Sequence, residues 1–222
     1  PAQVCFEPHV GHDILVDMLD GVDVWTETTV TKVLTRGHEV FGLLTSRGAV
    51  EARAIIDATE WGDVLGLLPG SYMLGEEIQD ITWVAVIKFY PDGVPPELVM
   101  QEPPGYDVDD FSGLLAEGGA PWFPIKYPVG WRFHTAYRGM PDSSNAHNYT
   151  GWHGVITKTG LNWFNDYTIS PEAVTNPAAR RVETCMAKLV TLRLLYYIQT
   201  EMRGGWAVAN DEGYDTPYNR SR

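Results

Sequence analysis

The sequence predicts a mixed α/β protein, and three observations predict it. A helical period opens the chain, with Pro8 followed by Val10, Ile14, Leu15 and Met18. Thr- and Val-rich segments punctuated by glycine come next. A second, longer helical period runs from Asn176-Pro177 through Val182, Met186, Leu189, Leu192, Tyr196 and Ile198.

Taken in order, Pro8 suits a first helical turn, where its missing N–H costs nothing, so residues 8–20 read as an amphipathic helix ending near Gly21. Val22-Asp23-Val24-Trp25 reads as a short apolar strand. Segments 28–35, 39–45 and 49–54 read as a three-stranded antiparallel meander. The breaks Arg36-Gly37-His38 and Ser46-Arg47-Gly48 each place a glycine where a tight hairpin needs positive φ. Ala54 to Thr59 is a near-continuous apolar run, the pattern of a buried parallel strand. Gly62 to Leu68 then reads as a helical turn. Beyond Ser71, Ile81 to Tyr90 is a strand, and 91–130 is dense in Pro, Gly and acids, which favours long irregular connections. Asn176 is a suitable N-cap, with Pro177 in the first turn of the longest element. The chain divides into 1–70, 71–175 and 176–222.

Composition bounds the function. The 222 residues, 44% hydrophobic and 20% charged, are ordinary for a folded soluble domain. A formal charge of −13 argues against a nucleic-acid partner, whose phosphates need a cationic surface, and equally against an anionic membrane surface. No apolar run approaches the ~18 residues needed to span a bilayer. Cys5 and Cys185 are too few for a disulfide framework or a zinc site and read as buried free thiols.

The most informative stretch is Ile55-Ile56-Asp57-Ala58-Thr59-Glu60-Trp61-Gly62-Asp63, an apolar strand ending in a small-residue turn that carries an acid. In open α/β sheets ligands collect beyond the carboxyl ends of the strands, so this turn points to a bound nucleotide cofactor.

Cys5-Phe6-Glu7-Pro8 opening a helix, the meander, and Ile56-Asp57-Ala58-Thr59 with Gly62-Asp63 together resemble the FAD-dependent oxidoreductase family, within the glutathione-reductase-like flavoproteins. Ala136 to Asp142, Leu161-Asn162-Trp163 with Asn165-Asp166-Tyr167, and Leu195 to Glu201 with Asn210-Asp211-Glu212 extend the resemblance along nearly the whole chain. Some members of that family are labelled as associated with xanthan lyase. The resemblance implies part of an FAD/NAD(P)-binding, Rossmann-like domain with its β-meander, a substrate or cap subdomain, and a long C-terminal helix. It implies FAD as cofactor, a small-molecule substrate, and transfer of a hydride or electrons through the flavin.

By the same resemblance, Val30 matches the position whose backbone faces the adenine. Ala58 and Thr59 match the turn near the adenosine and pyrophosphate, and Asp63 follows that turn. On the residues alone, Val30 also reads as a plain strand position and Asp63 as an acid stabilised by a helix dipole. Arg138, His153 and Asn162 fall where flavin enzymes place substrate groups, although each also reads as a surface or structural residue. No catalytic acid or base is assigned.

Two departures from the family pattern stand out. The chain holds no Gly-x-Gly-x-x-Gly turn, and Ala58-Thr59-Glu60 replaces the usual Ala-Thr-Gly, placing a negative charge beside an expected pyrophosphate. The resemblance thus implies an internal piece that starts after the first βαβ unit, binds FAD weakly or not at all by itself and is inactive alone.

Two other chemistries compete with this reading. Glu7, His9 and His12 are metal-ligand types, but their spacing is not His-Glu-x-x-His, so they read as an exposed helix start and no metal is assigned. Eight tryptophans and eleven tyrosines would also suit a non-enzymatic carbohydrate-binding module, which should be almost wholly β.

Overall fold

The computed structural model describes residues 5–68, 75, 77–114, 138–144, 157–202 and 205–213. Helices and antiparallel strands divide into two compact units. One comprises Pro1–Met18, Gln79–Ile169 and Arg181–Arg222, and the other Leu19–Ile78 and Ser170–Arg180. Each unit draws on segments far apart in the chain.

The first unit is built on a four-stranded antiparallel sheet in the order β6-β7-β5-β9. Its strands are β5 (Ala85–Phe89), β6 (Gly139–Met140), β7 (Lys158–Leu161) and β9 (Trp206–Val208). The register places Ile87 opposite both Thr159 and Val208, and Lys88 opposite both Lys158 and Ala207. Since side chains alternate along a strand, Ile87 and Lys88 face opposite sides. The core joins Ile87, Leu161 and Val208 to Leu194, Leu195 and Ile198 of the long helix, all essentially excluded from solvent. A shorter pair, β4 (Ile81–Thr82) with β8 (Asp166–Tyr167), extends the expected 81–90 strand, which breaks at Trp83 and Val84.

Between β7 and β8 the chain makes a tight turn in which Phe164 has φ +62°. Asn165, fully buried, holds it in place. Its Oδ1 accepts from the Trp163 N–H at 2.8 Å, and its Nδ2 donates to Leu161 O at 3.2 Å and Thr191 Oγ1 at 3.0 Å. This dense local bonding sustains a backbone conformation that a bulky residue rarely adopts.

In the second unit the meander forms as expected, with β1 (Val30–Arg36), β2 (Glu39–Thr45) and β3 (Gly48–Glu51) in order. Gly37 and Gly48 adopt φ +61° and +120°, the geometry the two hairpins require. Segment 170–180 carries α2 (Pro171–Thr175), capped by Ser170, and the start of α3 (Pro177–Thr200). Asn176 Oδ1 accepts from the Ala178 and Ala179 N–H groups at 2.9 and 3.4 Å, so the N-cap read from sequence is present.

Four expectations are corrected. Val22–Trp25 is not a strand, and its side chains are exposed. Ala54–Thr59 is not a strand, and Ile56 is 89% exposed. Every strand pairing among the described residues is antiparallel, so a buried parallel strand has no partner there. α1 (Pro8–Met18) forms at the expected place, yet its stripe of Ile14, Leu15 and Met18 is exposed, because the helix is held through its first turn instead. Cys5 and Cys185 are free, but Cys5 is half-buried and Cys185 exposed.

Two α-helices of 11 and 24 residues are foreign to an almost wholly β carbohydrate-binding module, and that reading is not supported. No helix among the described residues is long and apolar enough to cross a membrane.

Replacing the α3 cap tests how much the helix start contributes. Asn176→Ala should lower the unfolding free energy by about 1 kcal/mol, seen as a lower urea midpoint at unchanged slope.

Candidate functional site

The described residues of each unit include a concentration of charged side chains. In the second unit, the acid of the Ile56-Asp57-Ala58-Thr59 segment organises a turn. Asp57 Oδ1 accepts from the Thr59 N–H at 3.0 Å and the Thr59 hydroxyl at 2.6 Å, while Oδ2 accepts from the Leu65 N–H at 2.7 Å. The Thr59 oxygen accepts in turn from the Asp63 N–H at 2.7 Å. These donors, the Thr59 hydroxyl foremost, hold the Asp57 carboxyl below its ordinary value. A 3₁₀ turn over Leu65–Leu67 follows, as expected, after Gly62 at φ +66°.

Of the residues assigned to the cofactor, Ala58 and Thr59 are exposed on this turn, and Val30 is half-buried at the start of β1. Asp63 is also exposed but engaged, its Oδ1 lying 2.7 Å from an Arg180 guanidinium nitrogen. Asp57 and Arg180 were not singled out from sequence. An acid placed two residues before a threonine, where its side chain can close a local turn, was the available signal for the first. Arg180 has no local signal, being 117 residues from its partner.

In the first unit, the sheet face opposite the Ile87 side carries a buried ionic cluster. Lys158 is fully buried, and its Nζ donates to Glu7 Oε1 at 2.6 Å, Asp211 Oδ2 at 2.9 Å and Glu212 Oε1 at 3.0 Å. Its strand neighbour Lys88 reaches the same Asp211 oxygen at 3.2 Å and also bonds the Ser144 hydroxyl. Ser144 and Thr157 hydroxyls donate to Asp142 at 2.6 and 2.9 Å. His9 closes the cluster toward solvent, donating its backbone N–H to Glu212 Oε2 at 2.9 Å, with its ring Nδ1 3.0 Å from Oε1.

The charges are matched to their burial. Desolvation works against the Lys158 ammonium, but the three carboxylates outweigh it and hold its pKa above the ordinary lysine value. Burial would likewise raise Glu7, yet the Lys158 ammonium and the Ser143 donors bring its carboxyl below the ordinary value. For Asp211, burial is overcome in the same way by Lys158 and Lys88. Carboxylate and imidazole atoms of Glu7, His9 and Glu212 lie within 4.8 Å of one another, as metal ligands would. Two of those carboxylates already share the Lys158 ammonium.

This cluster corrects the reading of Glu7 and His9 as an exposed helix start: Glu7 is only 3% exposed, while His12 is exposed and pairs with Asp13. The signal that sequence reading passed over is a lysine inside an apolar strand. Lys88, within the otherwise apolar Ala85–Phe89, demands a buried partner, whereas Lys158 opens the mixed strand Lys158–Leu161 and carries no such signal.

The residues assigned to substrate fall in this unit's chain segments. Arg138, exposed, directly precedes β6, and Asn162, half-buried, directly follows β7. The antiparallel register Gly139↔Thr159 and Met140↔Lys158 brings both to one end of that strand pair. His153 lies outside the described residues.

Compared with known families, residues 1–220 match the model of a family described as FAD dependent oxidoreductase. No curated protein and no solved structure matches the chain.

Removing the central cation should expose the cost of the cluster. Lys158→Met leaves buried carboxylates without their shared partner, and should destabilise the fold by about 3–5 kcal/mol at neutral pH in urea unfolding. The effect of pH has a definite sign. Glu7 and Asp211 have lowered folded pKa values, so their contribution is present above the unfolded carboxylate range and is lost as pH falls through the folded values. The gap between wild type and variant should therefore shrink below roughly pH 4.

Proposed function

The chain belongs to the FAD-dependent oxidoreductase family, and on that premise we propose that it moves a hydride or electrons between FAD and a small organic or sugar-related substrate. The Asp57 turn is the observation that carries this reading to particular residues. It satisfies the acid internally, through Thr59 and Leu65, while leaving the small side chains of Ala58 and Thr59 exposed. A ligand can approach such a backbone closely, while the Asp57 carboxylate is engaged by the N–H and hydroxyl donors of its own turn. Glu60, the departure from the family pattern, is exposed, so water solvates its charge. These features fit a dinucleotide's adenosine and phosphate portion.

FAD, when bound, supplies the electron-accepting ring. The chain's own residues bind and orient. Val30 would face the adenine from the first meander strand, Ala58 and Thr59 would line the phosphate side, and Asp63 would border it from its ion pair with Arg180. Arg138, Asn162 and His153 would contact substrate. An arginine suits a carboxylate or another anionic group, and a carboxamide suits hydroxyls. The buried Lys158 cluster would hold β5 and β7, the second of which Asn162 directly follows, in a firmly bonded scaffold.

Expressed from its native gene, the protein should purify with flavin absorption bands, release FAD on denaturation, and bleach anaerobically with its reductant. Asp57→Ala should lower flavin occupancy severalfold while leaving the strand pairing of the meander in place, as read by circular dichroism. A colourless protein that takes up no added FAD would overturn the proposal.

A further inference from the structure

Arg180 makes more specific contacts than an ordinary surface arginine. Its Nε donates to Ala173 O at 3.0 Å and one terminal nitrogen donates to Val174 O at 2.8 Å, satisfying two carbonyls at the end of α2. The other terminal nitrogen bonds Asp63 Oδ1 at 2.7 Å. The guanidinium carbon also sits 4.5 Å from the centre of the Trp61 ring, in cation–π contact. Only 12% of the side chain is exposed, against 48% for Asp63. One planar group thus joins the end of α2 to two residues of the turn that follows Asp57.

The two sets of bonds on this turn meet at one residue. Asp57 closes the turn from inside, through Thr59 and Leu65, and the Asp63 N–H is tied to Thr59 Oγ1. Arg180 then holds Asp63 and Trp61 from outside. Gly62, between them, adopts φ +66° and has open space where a Cβ would be, so no side-chain packing restrains it there. Without the guanidinium, the outer half of the turn would keep only its local backbone and Thr59 bonds.

We propose that Arg180 is a positioning residue for nucleotide binding, holding the Asp57–Leu65 turn in the shape that receives the adenosine and phosphate portion of FAD. The inference rests on the flavoprotein reading above. It assigns no contact between Arg180 and the cofactor. The fork geometry and ring stacking are properties of arginine that lysine lacks, so charge alone is insufficient at this position.

Wild type, Arg180→Ala, Arg180→Lys and Asp63→Asn, each expressed from the native gene, should be compared by two measurements. Amide hydrogen exchange in ligand-free protein reports the turn directly, and fluorescence titration with FAD, ADP and riboflavin reports binding. In Arg180→Ala, exchange of the Asp63 and Leu65 amides should quicken. FAD and ADP should bind on the order of tenfold more weakly, with riboflavin unchanged. Arg180→Lys should recover little of that loss, a result that a charge effect alone would not produce. Asp63→Asn, an exposed substitution that keeps the fold, should show an intermediate effect and stands in if Arg180→Ala does not fold. FAD and ADP affinities within twofold of wild type in these variants would overturn the proposal, as would full rescue by lysine. A wild type that binds neither FAD nor ADP would instead overturn the flavoprotein reading and this proposal's ligand with it, whereas the exchange data would still report whether Arg180 holds the turn.

Discussion

A lysine ammonium cannot stay charged inside a protein unless several acceptors surround it, since the water it gives up is worth many hydrogen bonds. Lys158 is fully buried, and its three acceptors come from two distant places in the chain: Glu7 before the first helix, and Asp211 and Glu212 after the last strand. Their convergence fixes where the chain's first described residues and its last described ones must lie on the sheet. Lys88 and Asp142 extend the same constraint to β5 and to the segment after β6. The sheet is consequently two-sided, apolar where Ile87 and Leu161 join the long helix, ionic on the side of the two lysines.

The ionic side changes what its neighbours need. α1 leaves its apolar stripe exposed and is secured by Glu7 and His9, a few strong charged bonds taking the place of a packed face. Such a cluster is weak evidence for extra stability over an apolar core, because desolvation offsets most of the attraction. Its effect is on geometry: the carboxylates accept only in certain arrangements, so the strands beneath them are held in register.

The second unit uses charge on a smaller scale for a similar purpose. Asp57 spends its carboxylate on the backbone of its own turn, and Arg180 spends its guanidinium on two carbonyls, an acid and a ring. Neither ion is left free to act as an acid or base. Both shape backbone, and the small residues Ala58 and Thr59 lie exposed on the turn that Asp57 closes. Chemistry in an FAD-dependent oxidoreductase belongs largely to the flavin, which leaves the protein the tasks of binding and orientation.

Local information in the sequence determined the elements whose causes are local. Glycines at 37 and 48 mark the hairpins, the Asn176 carboxamide starts the long helix, and the helical periods survive as α1 and α3. The motif order also identified the family and its cofactor. Tertiary structure alone decided which apolar runs were buried: Ile56 and Val24 look like core residues by composition, yet they are exposed because no neighbouring strand among the described residues pairs with them. It likewise decided the fate of Glu7, which sits in an unremarkable helix start and is buried only because Lys158 lies 151 residues away in sequence and 2.6 Å away in space. Periodicity reports a residue's neighbours along the chain, whereas the partners of a buried charge come from across it, and no local pattern encodes them.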